Sequence, residues 1–402
     1  MPDGSVSLMH GIAAVLLSCW LVGPGSAAEP ARTLVPVEKP TFRHQEFVKI
    51  AQAGGIDLLF LGDSITEGWG KLGREEWTRT FACWRAANFG ISGDRIEKVL
   101  WRVGNGELEN IHPRLVVLLI GVNNEGDSAE DVAQGVANLQ AEIFRRLPGC
   151  TILQLGILPR GERPGPVRLK NEQINRLLSV AATANGPRRV VYLDIGARFL
   201  NGEQILSKEL APDGIHPNAK GYQVFAEAIG DTVNQLMLQE GQLWLPRFTA
   251  SGKPAEVAKI EAAIADGGIE EGLRGLARLA KDKDEATASA AKASLTTVAS
   301  WRAEVESEIK RLAEEGDVFT AADRAATLAT ALGTEAGRAN RQLCAQLRAD
   351  PGWKVGKKYR ALAATPLAAR KEAGFSKSVA AFVKTNPGSW YAAKATTLAG
   401  RD

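Results

Sequence analysis

Cysteine and histidine are both scarce, four of each in 402 residues. Cys19, Cys83, Cys150 and Cys344 form no CxxC, and His10, His44, His112 and His216 show no metal-ligand spacing. A zinc site and a disulfide framework are therefore not expected, and nothing in the sequence asks for another cofactor. Charge of one sign is lacking too: 49 Lys and Arg face 46 Asp and Glu, a net +3 with no polybasic stripe. That balance excludes a nucleic-acid binder. Long apolar runs are missing with one exception, at the amino terminus. What is present, 45% hydrophobic and 24% charged residues, is the composition of a folded protein, with length enough for two or three domains.

The exception runs from Gly11 to Val22 and leads into small residues and then Glu29-Pro30. It is shorter than the roughly 20 residues that span a bilayer, so residues 1–28 read as a secretory signal peptide cleaved after Ala28, with Ser26 three residues before the cut. The segment before the run has no Lys or Arg, and Met9 is an alternative start. Export to a periplasmic or extracellular space is expected. A lipid anchor at Cys19 is the weaker alternative, because Trp20, Leu21 and Val22 continue the apolar run past it. Removal of 1–28 leaves an odd number of cysteines, which argues against systematic pairing.

Between Ile56 and Leu238, short β-branched or Leu-rich runs alternate with amphipathic stretches: IDLLFLG (56–62), AANFG (86–90), LVVLLIG (115–121), TILQLGI (151–157) and VVYLDIG (190–196). Runs so continuously apolar suit parallel strands buried on both faces. The clearest helix starts at Ser128, with Asp131 in capping-box position, and carries Val132, Val136, Leu139, Ile143 and Phe144 on one face as far as Leu147. Strand and helix in alternation predict an α/β fold, a doubly wound, flavodoxin-like sheet of five parallel strands, with the ligand outside the carboxyl ends of the strands. Near residue 250 the composition shifts. Residues 251–402 are Ala-rich, mildly basic and without strand-like runs, so they form a separate all-α domain of helices about 10 to 20 residues long, and 29–250 is the catalytic domain.

Four segments fall where such a sheet gathers its functional turns. Gly62-Asp63-Ser64 follows the first strand, where a Ser hydroxyl and its own N–H face the edge; taken alone it is equally a helix cap. Asn88 to Asp94 follows the second, with glycines that let backbone N–H groups approach a ligand or simply make a turn. Gly121-Val122-Asn123-Asn124 follows the third and offers an amide donor or a cap. Asp213-Gly214-Ile215-His216-Pro217 precedes the last helix; its carboxylate and imidazole, three residues apart, can bond so that the other ring nitrogen faces a nucleophile, or they are a solvent-exposed loop pair.

Together and in this order the four segments resemble the blocks of the SGNH, or GDSL, hydrolase family. NFGISGDRIEKVLWRVGNGELENIHPRLVVLLIGVNN (88–124) and ILPRGERP (157–164) are similar to the catalytic subunits of the intracellular platelet-activating factor acetylhydrolase, over about residues 45–240. The resemblance implies an SGNH hydrolase fold, with Ser64 as nucleophile, His216 as general base and then acid, and Asp213 orienting the imidazole. It implies an oxyanion hole of the Ser64 and Gly93 N–H groups and the Asn123 amide, and an acyl pocket of Ile65, Val122 and Ile215, whose bulk favours acetyl. Asp63 is expected to hold its turn through backbone hydrogen bonds. No metal is implied. The leader departs from those cytosolic enzymes, so their phospholipid substrate is not carried over.

The expected function is a serine esterase for short acyl, foremost acetyl, esters of small molecules or O-acetylated carbohydrate. Alternatives are an O-acetyltransferase using the same acyl-enzyme and a non-catalytic carbohydrate-binding or scaffold module. The tail either docks an envelope or protein partner or packs on the sheet, and a homodimer of the kind the resembled enzymes form is open.

Overall fold

The computed structural model describes residues 30–184, 190–239, 241, 243–248 and 252–399. The expected leader, 1–28, with Cys19 in it, lies outside the described residues. Strands β1 (Leu58–Gly62), β2 (Ala86–Gly90), β3 (Leu115–Leu119), β4 (Thr151–Leu155) and β5 (Val190–Leu193) make one parallel sheet in the order β2-β1-β3-β4-β5. Every residue of β1, β3 and β4 is buried, as strands covered on both faces require. β3, β4 and β5 end short of their apolar runs, because the residues beyond have left the ladder to build the turns of the carboxyl edge.

The helices of this unit are α1 (Phe42–Ala53), α2 (Ser64–Glu67), α3 (Arg74–Thr80), α4 (Ile96–Arg102), α5 (Ala129–Arg146), α6 (Pro166–Ala184) and α7 (Ala219–Met237). α5 opens with the expected box: Ser128 Oγ accepts from Asp131 N–H at 3.0 Å and donates to the Asp131 carboxylate at 2.7 Å. Because β2 and β3 flank β1, the crossover through α3 runs one way along the sheet and those through α4, α5 and α6 the other. Right-handed connections then put α3 on one face and α4 to α6 on the opposite one, and α7 returns to pack on α3. Phe60, Trp69, Trp77 and Phe81 fill the space beneath α7 together with Phe225 of that helix, with Trp69 and Phe81 edge to face at 5.4 Å. Each fully buried phenylalanine there contributes about 1.5–3 kcal/mol.

The carboxy-terminal region is helical throughout its described residues: α8 (Ala255–Ala265), α9 (Ile269–Leu279), α10 (Glu285–Glu315), α11 (Val318–Ala331), α12 (Gly333–Ala336), α13 (Arg338–Ala349), α14 (Pro351–Ala363), α15 (Leu367–Arg370), α16 (Ala373–Thr385) and α17 (Trp390–Leu398). α10, at 31 residues, is a correction to the expected 10 to 20. No Gly or Pro interrupts it, and it stops only where Gly316 takes φ +96. The alanines have a packing reason: Ala321, Ala322, Ala325 and Ala329 are buried on α11, where small side chains let α10, α13 and α14 approach it.

This region packs on the amino edge of the sheet. Asp57 and Arg85 stand immediately before β1 and β2. Arg324 of α11 donates to Asp57 at 3.3 Å and to Glu308 at 2.6 Å, and Arg85 donates to Asp57 at 2.6 Å. Cys83 joins an apolar cluster with Phe319, Tyr359, Phe375 and Tyr391, and Leu243 and Trp244, before residue 250, already belong to a core made with α8 to α11.

Candidate active site

The parallel register brings three turns to one edge. Gly62 pairs with Gly90 on one side and with Leu119 on the other, so the segments beginning at Asp63, Ile91 and Ile120 emerge side by side. Gly90 is required for that closeness: a Cβ on it would lie 2.2 Å from the Glu67 nitrogen. Ser64 is the first residue of α2, capped by Asp63, whose Oδ1 accepts from the Ile65 N–H at 3.0 Å. Asp63 is fully buried and its Oδ2 has no partner among the described residues. Burial pushes its carboxyl up to about 7; the Ile65 N–H opposes the rise and the Asp94 charge adds to it.

The fourth segment arrives from the loop before α7. Ser64 Oγ lies 2.9 Å from His216 Nε2, and His216 Nδ1 lies 2.6 Å from Asp213 Oδ2. Asp213 Oδ1 also accepts from the N–H groups of His216 (2.8 Å) and Ile215 (3.0 Å). Burial raises the Asp213 carboxyl, but these bonds outweigh it and leave it below the ordinary carboxylate value. An ionised Asp213 takes the Nδ1–H and leaves Nε2 as an acceptor toward the Ser64 hydroxyl. The side chains stay open to solvent, 47% exposed for His216 and 54% for Asp213.

Gly93 is exposed in the turn after β2 at φ +72, and its N–H takes no acceptor among the described residues. The Asn123 amide donates to the Asp94 carbonyl at 2.8 Å, which uses one of its two N–H groups and ties the two turns together. Ile65 and Val122 lie in the core, 1% and 5% exposed, whereas Ile215 is half-buried. Of the three expected pocket residues, only Ile215 presents much surface.

Other residues at this edge carried no sequence signal of their own. Glu67 accepts from Ser92 N–H at 2.6 Å, and Tyr222 donates to the Ile65 carbonyl at 2.6 Å. Beneath the Gly93 turn runs a buried ionic network: Lys39 and Arg102 bond Asp94 at 2.6 and 2.7 Å, Arg102 also bonds Glu107, and Glu107 meets His44 Nδ1 at 2.8 Å. Arg102 and Glu107 do lie inside the 88–124 stretch, but only the fold reveals that their charges meet.

Residues 60–224 match the model of the GDSL-like lipase/acylhydrolase family. The chain is 37% identical over 195 residues to the platelet-activating factor acetylhydrolase IB subunit alpha2 of Rattus norvegicus, covering 48% of this chain and 83% of the relative. It is 35% identical over 197 residues to the alpha1 subunit of Homo sapiens, covering 49% and 84%. A solved GDSL-like lipase from Bacteroides thetaiotaomicron aligns with a TM-score of 0.40 and 18% identity, over 48% of this chain and 97% of that one.

Proposed function

The chain belongs to the GDSL-like lipase/acylhydrolase family, and on that premise we propose that it is an exported serine esterase. It removes short acyl groups, acetyl foremost, from O-acetylated carbohydrate or a related ester. The observation that carries this reading is the line of contacts from Ser64 Oγ to His216 Nε2 at 2.9 Å and from His216 Nδ1 to Asp213 at 2.6 Å. A serine hydroxyl attacks a carbonyl only if a base takes its proton, and His216 Nε2 is within reach to do so while Asp213 stabilises the imidazolium that forms. The oxyanion of the tetrahedral intermediate accepts from the Gly93 and Ser64 N–H groups and from the second Asn123 N–H. Collapse returns the proton through His216 to the leaving alcohol. Water, deprotonated by the same imidazole, then splits the acyl-Ser64 ester and releases the acid.

Acetyl is proposed because the relatives' names describe acetylhydrolases. A large carrier alcohol is proposed because His216 and Asp213 stay about half exposed, leaving room on that side. The apolar run from Gly11 to Val22 supports export. The test is hydrolysis of p-nitrophenyl acetate, butyrate and octanoate by the protein from Glu29 onward, beside Ser64→Ala. Acetate-preferring activity absent from the variant is the expected result. Octanoate cleaved far better than acetate overturns the short-acyl reading, and activity surviving in Ser64→Ala overturns the nucleophile.

A further inference from the structure

The loop after β4 and the loop that leads to Asp213 and His216 share one buried cation. Arg168, in the first turn of α6, is 2% exposed and makes no ion pair among the described residues. Its guanidinium is spent on backbone carbonyls: Nε donates to Arg160 at 3.3 Å, Nη1 to Gln204 at 2.5 Å, and Nη2 to Glu162 at 3.0 Å and to Gly161. Three of these carbonyls belong to the loop after β4, and the fourth to the segment before the Asp213 turn. Direct bonds join the same two loops. Leu206 N–H donates to the Glu162 carbonyl and Gly161 N–H to the Gly214 carbonyl, each at 2.8 Å. Gly214 sits between Asp213 and Ile215, so the second bond ends inside the turn that aims the imidazole.

A buried guanidinium without a counter-ion is costly unless its donors are satisfied, and here the carbonyl dipoles satisfy them. Burial also draws its pKa down, with only Glu172 opposing. Gln204 adds to the cost: it holds φ +60, a left-handed conformation unfavourable for a non-glycine residue, and its carbonyl is the one Nη1 takes. The pin extends to the oxyanion side as well, since Arg160 donates to the Val122 carbonyl at 3.2 Å, next to Asn123, and pairs with Glu125.

We propose that Arg168 is a positioning residue of the esterase: by clamping Gly161 against Gly214 it holds the Asp213–His216 turn where Nε2 meets Ser64 Oγ. This rests on the serine esterase reading above. Arg168→Met removes all four bonds, and Arg168→Lys keeps the charge but reaches fewer carbonyls. For Arg168→Met the expected result is kcat on p-nitrophenyl acetate lowered roughly 10- to 100-fold per active site titrated with a serine-reactive phosphonate, with KM changed less than about threefold. The downfield NMR resonance of the His216 Nδ1–H broadens or moves upfield, and Arg168→Lys falls between.

Variants that melt at lower temperature yet keep the wild-type kcat per titrated site and resonance overturn the proposal and leave Arg168 a stabiliser only. If Arg168→Met does not fold, Arg168→Lys carries the same readouts, and wild-type values in it overturn the proposal equally. The resonance requires no turnover. An inactive wild type therefore counts against the esterase reading, whereas an unchanged resonance counts against the pin.

Discussion

At the carboxyl edge of the sheet Asp213, His216 and Ser64 meet in a line that stays half open to water, while at the amino edge Asp57, Arg85, Arg324 and Glu308 meet between two packed units. The bonds are of similar length and their consequences differ. An open imidazole, held at Nδ1 by Asp213 and facing the Ser64 hydroxyl with Nε2, can pass a proton within a cycle. Asp57 cannot: burial pushes its carboxyl up, Arg85 and Arg324 more than cancel that, and it stays ionised below the ordinary carboxylate range. One edge is arranged so that charge can change, the other so that it cannot. The tail has its place on the second kind.

The sharpest way to break this contrast is His216→Ala. Activity on p-nitrophenyl acetate should fall on the order of 10⁴-fold or more, with the thermal midpoint within a degree or two of wild type, because the half-exposed ring packs on little. A large loss of stability would mean that the open edge also holds the fold together.

Asp63 sharpens the contrast, since it lies at the catalytic edge yet is buried. With a folded pKa near 7 against an ordinary value of about 3.9, the folded protein keeps this proton over a range where the unfolded chain has lost it. Stability from this group is therefore full below about pH 4, falls as pH rises to about 7, and is level above, a change on the order of 4 kcal/mol. Asp63→Asn keeps the cap and removes the slope. Urea unfolding at pH 4.5 and 7.5 should show the variant gaining on wild type at the higher pH; equal differences at both would place the proton elsewhere.

Arg324→Met tests the amino edge. It leaves Asp57 with Arg85, and Glu308 with Arg85 and Arg311, and the expected cost is about 3 kcal/mol in denaturant unfolding, the lower end for breaking a buried pair, with kcat per titrated site unchanged. A fall in kcat would mean that the two edges are coupled through the sheet. The smallest effect belongs to the exposed bridge from Lys371 to Glu227, also between the units: Lys371→Ala should cost less than about 1 kcal/mol by the same measurement.

The strands were legible because each needs only a local property, a run of apolar residues, and β2 was expected over the residues it occupies, 86–90. The capping box at Ser128 was legible for the same reason, since both partners lie within one turn. The length of α10 departs from the expected 10 to 20 residues because no Gly or Pro falls between Asp284, which caps its start, and Gly316, which ends it. At the site, Ser64, Asp213 and His216 stood out because short motifs surround them. Arg168 did not, as the carbonyls it holds come from backbone that any sequence possesses. The partnership of Lys39, Asp94, Arg102, Glu107 and His44 was equally hidden, because its members are spread from 39 to 107 and nothing local says that they converge.

By itself, then, the sequence determined which segments become strands, which turns bear a hydroxyl, an imidazole and a carboxylate, and that an alanine-rich helical region follows. Those follow from nearest-neighbour chemistry and from the rule that a parallel sheet gathers its functional turns at the carboxyl ends. Only the tertiary structure decided that the helical region covers the opposite edge, that Asp63 is shut away beside the half-buried Ser64, and that a single guanidinium spans two loops. These depend on which distant residues become neighbours and which lose water, and both are settled when the chain packs.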